Sequence, residues 1–245
     1  MSASAEYLQR CRETVEKLST TQLPAIDAAA DIIAERVAAG GIVFTFGTGH
    51  SHELAEEMAY RAGSVVPVSP ILEPSLTGST EVGKSEFLER LTGFAPHILN
   101  YHNVRPEDVL VIISNSGRNA APVDMAMEAH RRGIPVVALT SLDYSRQVSS
   151  RDASGKKLYE LADVVIDNCA PFGDAVVKLE GVPQPVGPLS TVGGAAVMHA
   201  IMVGVAERLV GRMDPVPVFW SGNLDGVTEK NYKMMDPYRA RVRFW

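Results

Sequence analysis

The apolar positions of this chain change their spacing near residue 41, and that change divides it. Over residues 6–39 they recur at helical intervals: Tyr7, Leu8, Cys11, Val15 and Leu18, then Ile26, Ala29, Ile33 and Val37. Steps of three and four place such residues on one face of a helix. The stripe is interrupted at "STTQLP", where Pro24 suits the start of the second piece, and it is stopped by Gly40-Gly41. A long N-terminal helical element with one apolar stripe must be covered by the core or by a second subunit. Beyond residue 41, short unbroken apolar runs alternate with helical segments. "IVFTF" (42–46), "SVVPV" (64–68), "DVLVII" (108–113), "PVVAL" (135–139) and "DVVID" (163–167) read as strands, and 51–62, 85–103, 119–132 and 190–211 as helices. "KLYELA" reads as a short helix, 69–84 and 141–157 as loops, and 169–189 as irregular with a strand suggested at "AVVKLE". Nearly continuous Val/Ile runs belong to strands buried on both faces. Their alternation with helices implies crossovers and one parallel sheet, an α/β fold. The organisation expected is one domain over 41–212. A helical extension precedes it (1–40), and a C-terminal extension rich in Pro, Gly and aromatics packs on it (213–245).

Composition narrows the classes. The net charge of −6 argues against a general nucleic-acid or anionic-membrane binder while leaving room for a local phosphate pocket. The two cysteines, Cys11 and Cys169, form neither a disulfide framework nor a zinc motif and suit a reducing cytosol. "MSASAEYLQRCRETVEKL" lacks the apolar core of a signal peptide, and no apolar run approaches membrane-spanning length. The expectation is a cytoplasmic protein with no nucleic-acid and no membrane partner.

In a parallel α/β sheet, ligands bind beyond the carboxyl ends of the strands. The loop after the first strand reads "FGTGHS". Gly47 and Gly49 permit a tight turn, His50 is a polar contact, and Ser51 stands where a helix N-cap belongs. A dinucleotide fingerprint needs a third glycine where His52 stands, and a P-loop needs a lysine that is absent. The third strand runs into "SNSGRN": Ser114, Asn115 and Ser116 offer polar groups, Gly117 frees a backbone amide, and Asn119 is a plausible N-cap. Thr140 and Ser141 follow the next strand, and Ser190 and Thr191 open the last long helix. Two hydroxyl-rich turns on one sheet can grip the same phosphate, with Thr140-Ser141 as a third contact.

"FGTGHS", "VLVIISNSGRN" and "VVALTS", in this order and spacing, resemble the sugar isomerase (SIS) domain over about residues 30–212. Within that family the arrangement is most similar to the phosphoheptose isomerases. The resemblance implies a three-layer sandwich around a five-stranded parallel sheet, a phosphorylated sugar as ligand, and a homodimer or homotetramer. It also implies phosphate contacts at Ser51, Ser114, Ser116 and Thr140 or Ser141, and enediolate chemistry with a Glu late in the first helix and a His in the last. No cofactor is expected.

Counted from Ser51, the acid of that family falls at Arg61 here; Glu56 and Glu57 lie a turn earlier, and His199 stands for the histidine. Glu57, Glu73 and His199 are therefore the candidate catalytic residues. For each there is a plainer alternative: Glu57 as a solvated helix residue, Glu73 as an exposed loop acid, and His199 as a core or interface histidine. His50 and His52 form an HxH pair that can hold zinc, but no further ligand cluster accompanies them, so no metal is expected. Glu89 reads as a surface partner of Lys84 or Arg90, and Arg151 or Lys156 as a cation near the phosphate.

Overall fold

A computed structural model describes residues 1–245. Helix α1 (Ala3–Thr21) starts at Ser2, whose side chain accepts from the Ala5 amide at 3.3 Å, and α2 (Leu23–Ala38) follows after a break at Gln22. Then come β1 (Val43–Gly47), α3 (Ser51–Glu57), β2 (Val68–Ile71), α4 (Pro74–Thr77), α5 (Val82–Leu88) and α6 (Ala95–Tyr101). They lead to β3 (Val109–Ile113), α7 (Ala120–Arg131), β4 (Val136–Thr140), α8 (Leu142–Gln147) and β5 (Val164–Asp167). A short antiparallel pair, β6 (Ala175–Val177) and β7 (Val186–Pro188), precedes α9 (Ser190–Leu209) and α10 (Thr228–Met235).

The five main strands form one parallel sheet in the order β2-β1-β3-β4-β5, between two helical layers. The apolar runs look unbroken because neighbouring residues serve opposite cores. Val109, Val111 and Ile113 join Val43, Val137, Leu139 and Ile166 under α2, α3 and α9. Leu110 and Ile112 join Phe44, Phe46, Val136 and Ala138 under α6 and α7. Side chains alternate along a strand, so a sheet covered on both sides needs apolar residues at every position. α9 comes close to α3 at Gly194, where an added Cβ would collide with the Leu54 side chain. It is long and apolar enough, by length and composition, to cross a membrane, an exception to the expectation that no such run exists. Here Val197, Met198, Ile201, Met202, Val205 and Leu209 are buried in the first core, each contributing about 1.5–3 kcal/mol through burial.

Several boundaries differ from the sequence reading. The second strand lies at Val68–Ile71, later than 64–68. Residues 64–66 instead pair with the C-terminal segment, through Phe219 N to Ser64 O at 3.0 Å and Val66 N to Pro217 O at 2.8 Å. Pro70 fits β2 because β2 is an edge strand, where a missing N–H is tolerated. The helix expected over 51–62 ends at Glu57, and Tyr60 takes a positive φ of 51° beyond it. The helix expected over 85–103 is two, α5 and α6, separated around Gly93 (φ 85°) with Pro96 in the first turn of the second. The C-terminal segment returns to the sheet through Arg241, whose Nη2 donates to Asp108 Oδ2 at 2.6 Å.

Candidate functional site

The register of the sheet sets the site. Gly47 at the end of β1 lies opposite Ile113 at the end of β3, so the two polar turns leave adjacent strands side by side. A cavity of about 270 Å³ opens between them. The first turn contributes Thr48, His50 and Ser51, and the second contributes Ser114, Asn115, Ser116 and Asn119. Ser190 and Thr191 close it from the start of α9, with Asp174 beside them, and Tyr144, Asn168 and Glu89 complete the polar wall.

The expected binding residues divide into those that line the cavity and those behind it. His50, Ser51, Ser114, Asn115, Ser116, Asn119, Ser190 and Thr191 line it. Gly47 lets the turn fold back, since a Cβ there would overlap the Ser51 backbone, and the Gly49 amide donates to Leu76 O at 2.9 Å. Gly117 closes the second turn, and Thr140 and Ser141 stand behind it. Thr140 and Ser141 are fully buried, and the Thr140 hydroxyl and Ser141 amide both donate to the Asn115 carbonyl, at 3.3 and 3.0 Å. The Ser141 hydroxyl donates to Ala170 O at 2.6 Å and accepts from the Tyr144 amide. These groups are occupied with holding the loop in place.

What remains free faces the cavity. The hydroxyls of Ser51, Ser116, Thr191 and Tyr144 make no hydrogen bond within the chain, whereas Ser190 donates to Asp174 at 2.6 Å. The backbone amides of His50, Asn115 and Ser116 have no acceptor, while the Gly117 amide is occupied by Ser114 Oγ at 3.2 Å. Uncommitted donors on two neighbouring loops make an anion-binding surface. The longer helices α7 and α9 both begin at this rim, which adds the positive ends of their dipoles. No Lys or Arg lines the cavity; the Arg151 guanidinium reaches the rim through Asn119 Oδ1 at 3.0 Å.

The three candidate acids and bases lie elsewhere. Glu57 and His199 pair with each other at 3.3 Å, outside the cavity lining, and Arg61 holds the same Glu57 oxygen at 3.2 Å. His199 is eight residues beyond Thr191, about 12 Å along α9 at 1.5 Å per residue. Glu73 caps α4, accepting from the Ser75 hydroxyl at 2.7 Å, and faces a different cavity beside Tyr101 and Arg243. His52 is turned to the Gly49 carbonyl, and no three His, Cys, Asp or Glu side chains converge as a metal-ligand set.

Two carboxylates line the cavity that sequence reasoning did not place there: Asp174 was not singled out, and Glu89, read as a surface partner of Lys84 or Arg90, pairs with neither and turns inward to Thr48 and Asn119. Asp174 spends both oxygens on the start of α9, accepting from Ser190 N at 2.7 Å, Ser190 Oγ at 2.6 Å and Leu189 N at 3.0 Å. Glu89, at the end of α5, accepts from Thr48 Oγ1 at 3.0 Å and Asn119 Nδ2 at 2.7 Å. Both partners sit on the two turns already singled out, but a residue's reach across the fold is invisible in local spacing. Asn168, which donates to Asn115 Oδ1 at 2.9 Å, was missed for the same reason.

Comparison with known proteins gives the family and the fold. A family profile described as the SIS domain matches residues 6–141. The chain is 38% identical over 237 residues to a UPF0309 protein of Geobacillus kaustophilus, covering 97% of this chain and 94% of that one. It is 40% identical over 240 residues to a UPF0309 protein of Caldanaerobacter subterraneus, covering 97% and 98%. Among solved structures, the fold is similar to the phosphoheptose isomerase of Neisseria gonorrhoeae (TM-score 0.57, 17% identity, 83% of this chain and 97% of that one). It is also similar to the Vibrio vulnificus NanR protein complexed with ManNAc-6P (TM-score 0.54, 15% identity, 98% and 70%).

Proposed function

The chain belongs to the SIS-domain family, and we propose that its cleft binds a phosphorylated sugar and isomerises it through an enediolate. The carrying observation is the convergence of uncommitted Ser51 and Ser116 hydroxyls with the free amides of His50, Asn115 and Ser116 on adjacent strand ends. A phosphate needs several convergent donors, and these are held rigidly from behind by Thr140, Ser141 and Asn168. The absence of lysine and arginine from the lining favours recognition by hydroxyls, amides and helix ends over a salt bridge. The remaining wall, with Thr191, Tyr144, Asn168 and Glu89, offers mixed donors and acceptors to sugar hydroxyls.

A second reading, a sensor that binds the sugar phosphate without chemistry, is favoured by one observation. Arg61 occupies the oxygen of Glu57 that faces His199, so this pair is tied up rather than poised as a base. We further place the protein in the cytoplasm as a homodimer. On the outward side of α9, Val203 at 68% exposure is a residue that a second copy would cover in such a dimer.

Thermal shift with a panel of sugar phosphates tests the binding claim. A ligand at a hundred times its Kd stabilises by about 2.7 kcal/mol, about 5–10 °C for a chain of this size. The double variant Ser51→Ala/Ser116→Ala is expected to lose that shift while keeping its own Tm within about 2 °C, the range of surface changes. No stabilisation by any sugar phosphate at millimolar concentration would contradict the proposal.

A further inference from the structure

We propose that Glu89 is the proton-transferring carboxylate of this site, an inference that rests on the sugar-phosphate reading above. Of the two carboxylates in the cavity wall, Asp174 accepts three hydrogen bonds from Leu189 and Ser190 and serves to hold the start of α9. Glu89 receives one side-chain donor on each oxygen, Thr48 on Oε2 and Asn119 on Oε1. Each carboxylate oxygen can accept two hydrogen bonds, so acceptor capacity remains on the side of the cavity. Arg151 holds the Asn119 oxygen at 3.0 Å, which turns the amide NH₂ group toward Glu89. Thr48 follows β1 and Asn119 follows the β3 turn, so the carboxylate is fixed to the same two loops that carry the free donors. The Glu89 carbonyl also accepts from the Ala121 amide at 2.9 Å, tying the end of α5 to the start of α7.

Position adds a second argument. A neighbouring cavity of about 600 Å³ opens toward Thr77, Ser79 and Ser85 and shares two lining residues with the first, His50 and Glu89. Glu89 therefore stands at the junction. A phosphate held at Ser51 and Ser116 directs its carbon chain past this carboxylate into the larger space. Glu57, His199 and Glu73 line neither cavity.

The step is a proton transfer with no external oxidant or reductant. Glu89 takes the proton from the carbon next to the carbonyl. The C–H electron pair becomes the carbon–carbon double bond of the enediolate, and the carbonyl π pair moves onto its oxygen. The resulting carboxylic acid returns the proton to the former carbonyl carbon as the neighbouring hydroxyl oxygen, losing its proton to the enediolate oxygen, becomes the new carbonyl. Aldose and ketose are exchanged and Glu89 is again ionised.

The test is solvent-deuterium exchange followed by proton NMR. The wild-type chain is incubated in D₂O with fructose 6-phosphate, ribulose 5-phosphate and sedoheptulose 7-phosphate, beside Glu89→Gln and Glu89→Ala. Wild type is expected to incorporate deuterium next to the carbonyl of at least one of them. Both variants should lose about 10²–10⁴-fold in exchange rate while the thermal shift by the same sugar phosphate persists in at least one. Exchange at the wild-type rate in either variant overturns the assignment. So does loss of exchange in Glu57→Gln with Glu89→Gln active, which hands the role to the Glu57–His199 pair. Wild-type binding without exchange leaves the phosphosugar site standing and removes the chemistry, whereas neither binding nor exchange defeats both.

Discussion

Replacing Gly117 by alanine strains the second turn in two separable ways. Gly117 has φ 58°, in the left-handed region where an L-residue costs about 1–2 kcal/mol relative to its ordinary conformations. A Cβ there would also meet Thr140 Oγ1 at 3.1 Å, Ser145 Oγ at 3.2 Å and Leu158 Cβ at 3.3 Å. Overpacking of this kind adds about 1–3 kcal/mol. Gly133, just past α7, separates the two costs: its φ is 72° but a Cβ there meets nothing within 4 Å. Gly133→Ala should therefore lose only the backbone contribution, lowering Tm by about 4 °C, and Gly117→Ala both, about 10 °C. The ligand readout sharpens the contrast. The crowded atoms include the Thr140 hydroxyl that fixes the Asn115 carbonyl, so Gly117→Ala should also displace Asn115 and Ser116. Sugar-phosphate stabilisation should fall at least tenfold in apparent Kd, about 1.4 kcal/mol, and be unchanged in Gly133→Ala. Urea unfolding and thermal shift on both variants check this. Equal destabilisation of the two, or full ligand response in Gly117→Ala, would refute the reasoning.

Two further perturbations test the packing that supports the site. Arg241→Ala leaves Asp108, fully buried, with only the Ile42 and Arg105 amides, and should cost about 3 kcal/mol, the low end for breaking a buried pair. Burial already pushes the Asp108 carboxyl upward, and losing Arg241 pushes it further. A raised carboxylate pKa means the penalty is fully present at neutral pH and shrinks as acid protonates Asp108, so a pH-independent difference in urea midpoints would contradict this. Glu128 behaves oppositely: hydrogen bonds from Arg131, then Arg132, hold it at about 2 against an ordinary 4.5. Its contribution is present above pH 4.5 and lost as pH falls toward 2; with Arg131 largely solvated it amounts to about 1–2 kcal/mol. Glu128→Gln should flatten the acid limb of the stability profile over that window, and an unchanged slope would count against it.

Much of the architecture is legible in the chain because two-sided burial leaves an unmistakable mark. Four of the five short apolar runs became parallel strands, and the turns after β1 and β3 became neighbours through the Gly47–Ile113 register. The hardest strand was β2, at the sheet edge, where Pro67 and Pro70 flank and enter the pairing and the apolar "SVV" pairs with the tail instead. Of the hydroxyls singled out, which ones point outward could not be read from spacing. Thr140 and Ser141 carry the same chemistry as Ser51 and Ser116, and only the fold shows them turned to the Asn115 and Ala170 carbonyls. Glu89 was hidden by distance: its partners Thr48 and Asn119 lie 41 and 30 residues away. The helix expected through it is broken in the fold, which lets the end of α5 tuck its carboxylate under the two turns.

The most direct test of the phosphosugar claim is a crystal structure of the chain soaked or grown with the sugar phosphate that gives the largest thermal shift. The account predicts phosphate oxygens within hydrogen-bonding distance of Ser51 Oγ, Ser116 Oγ and the Asn115 or Ser116 amide, with the sugar carbons directed toward Glu89. Phosphate bound away from the 48–51 and 114–117 turns, at the Tyr101–Arg243 cavity for example, would contradict it.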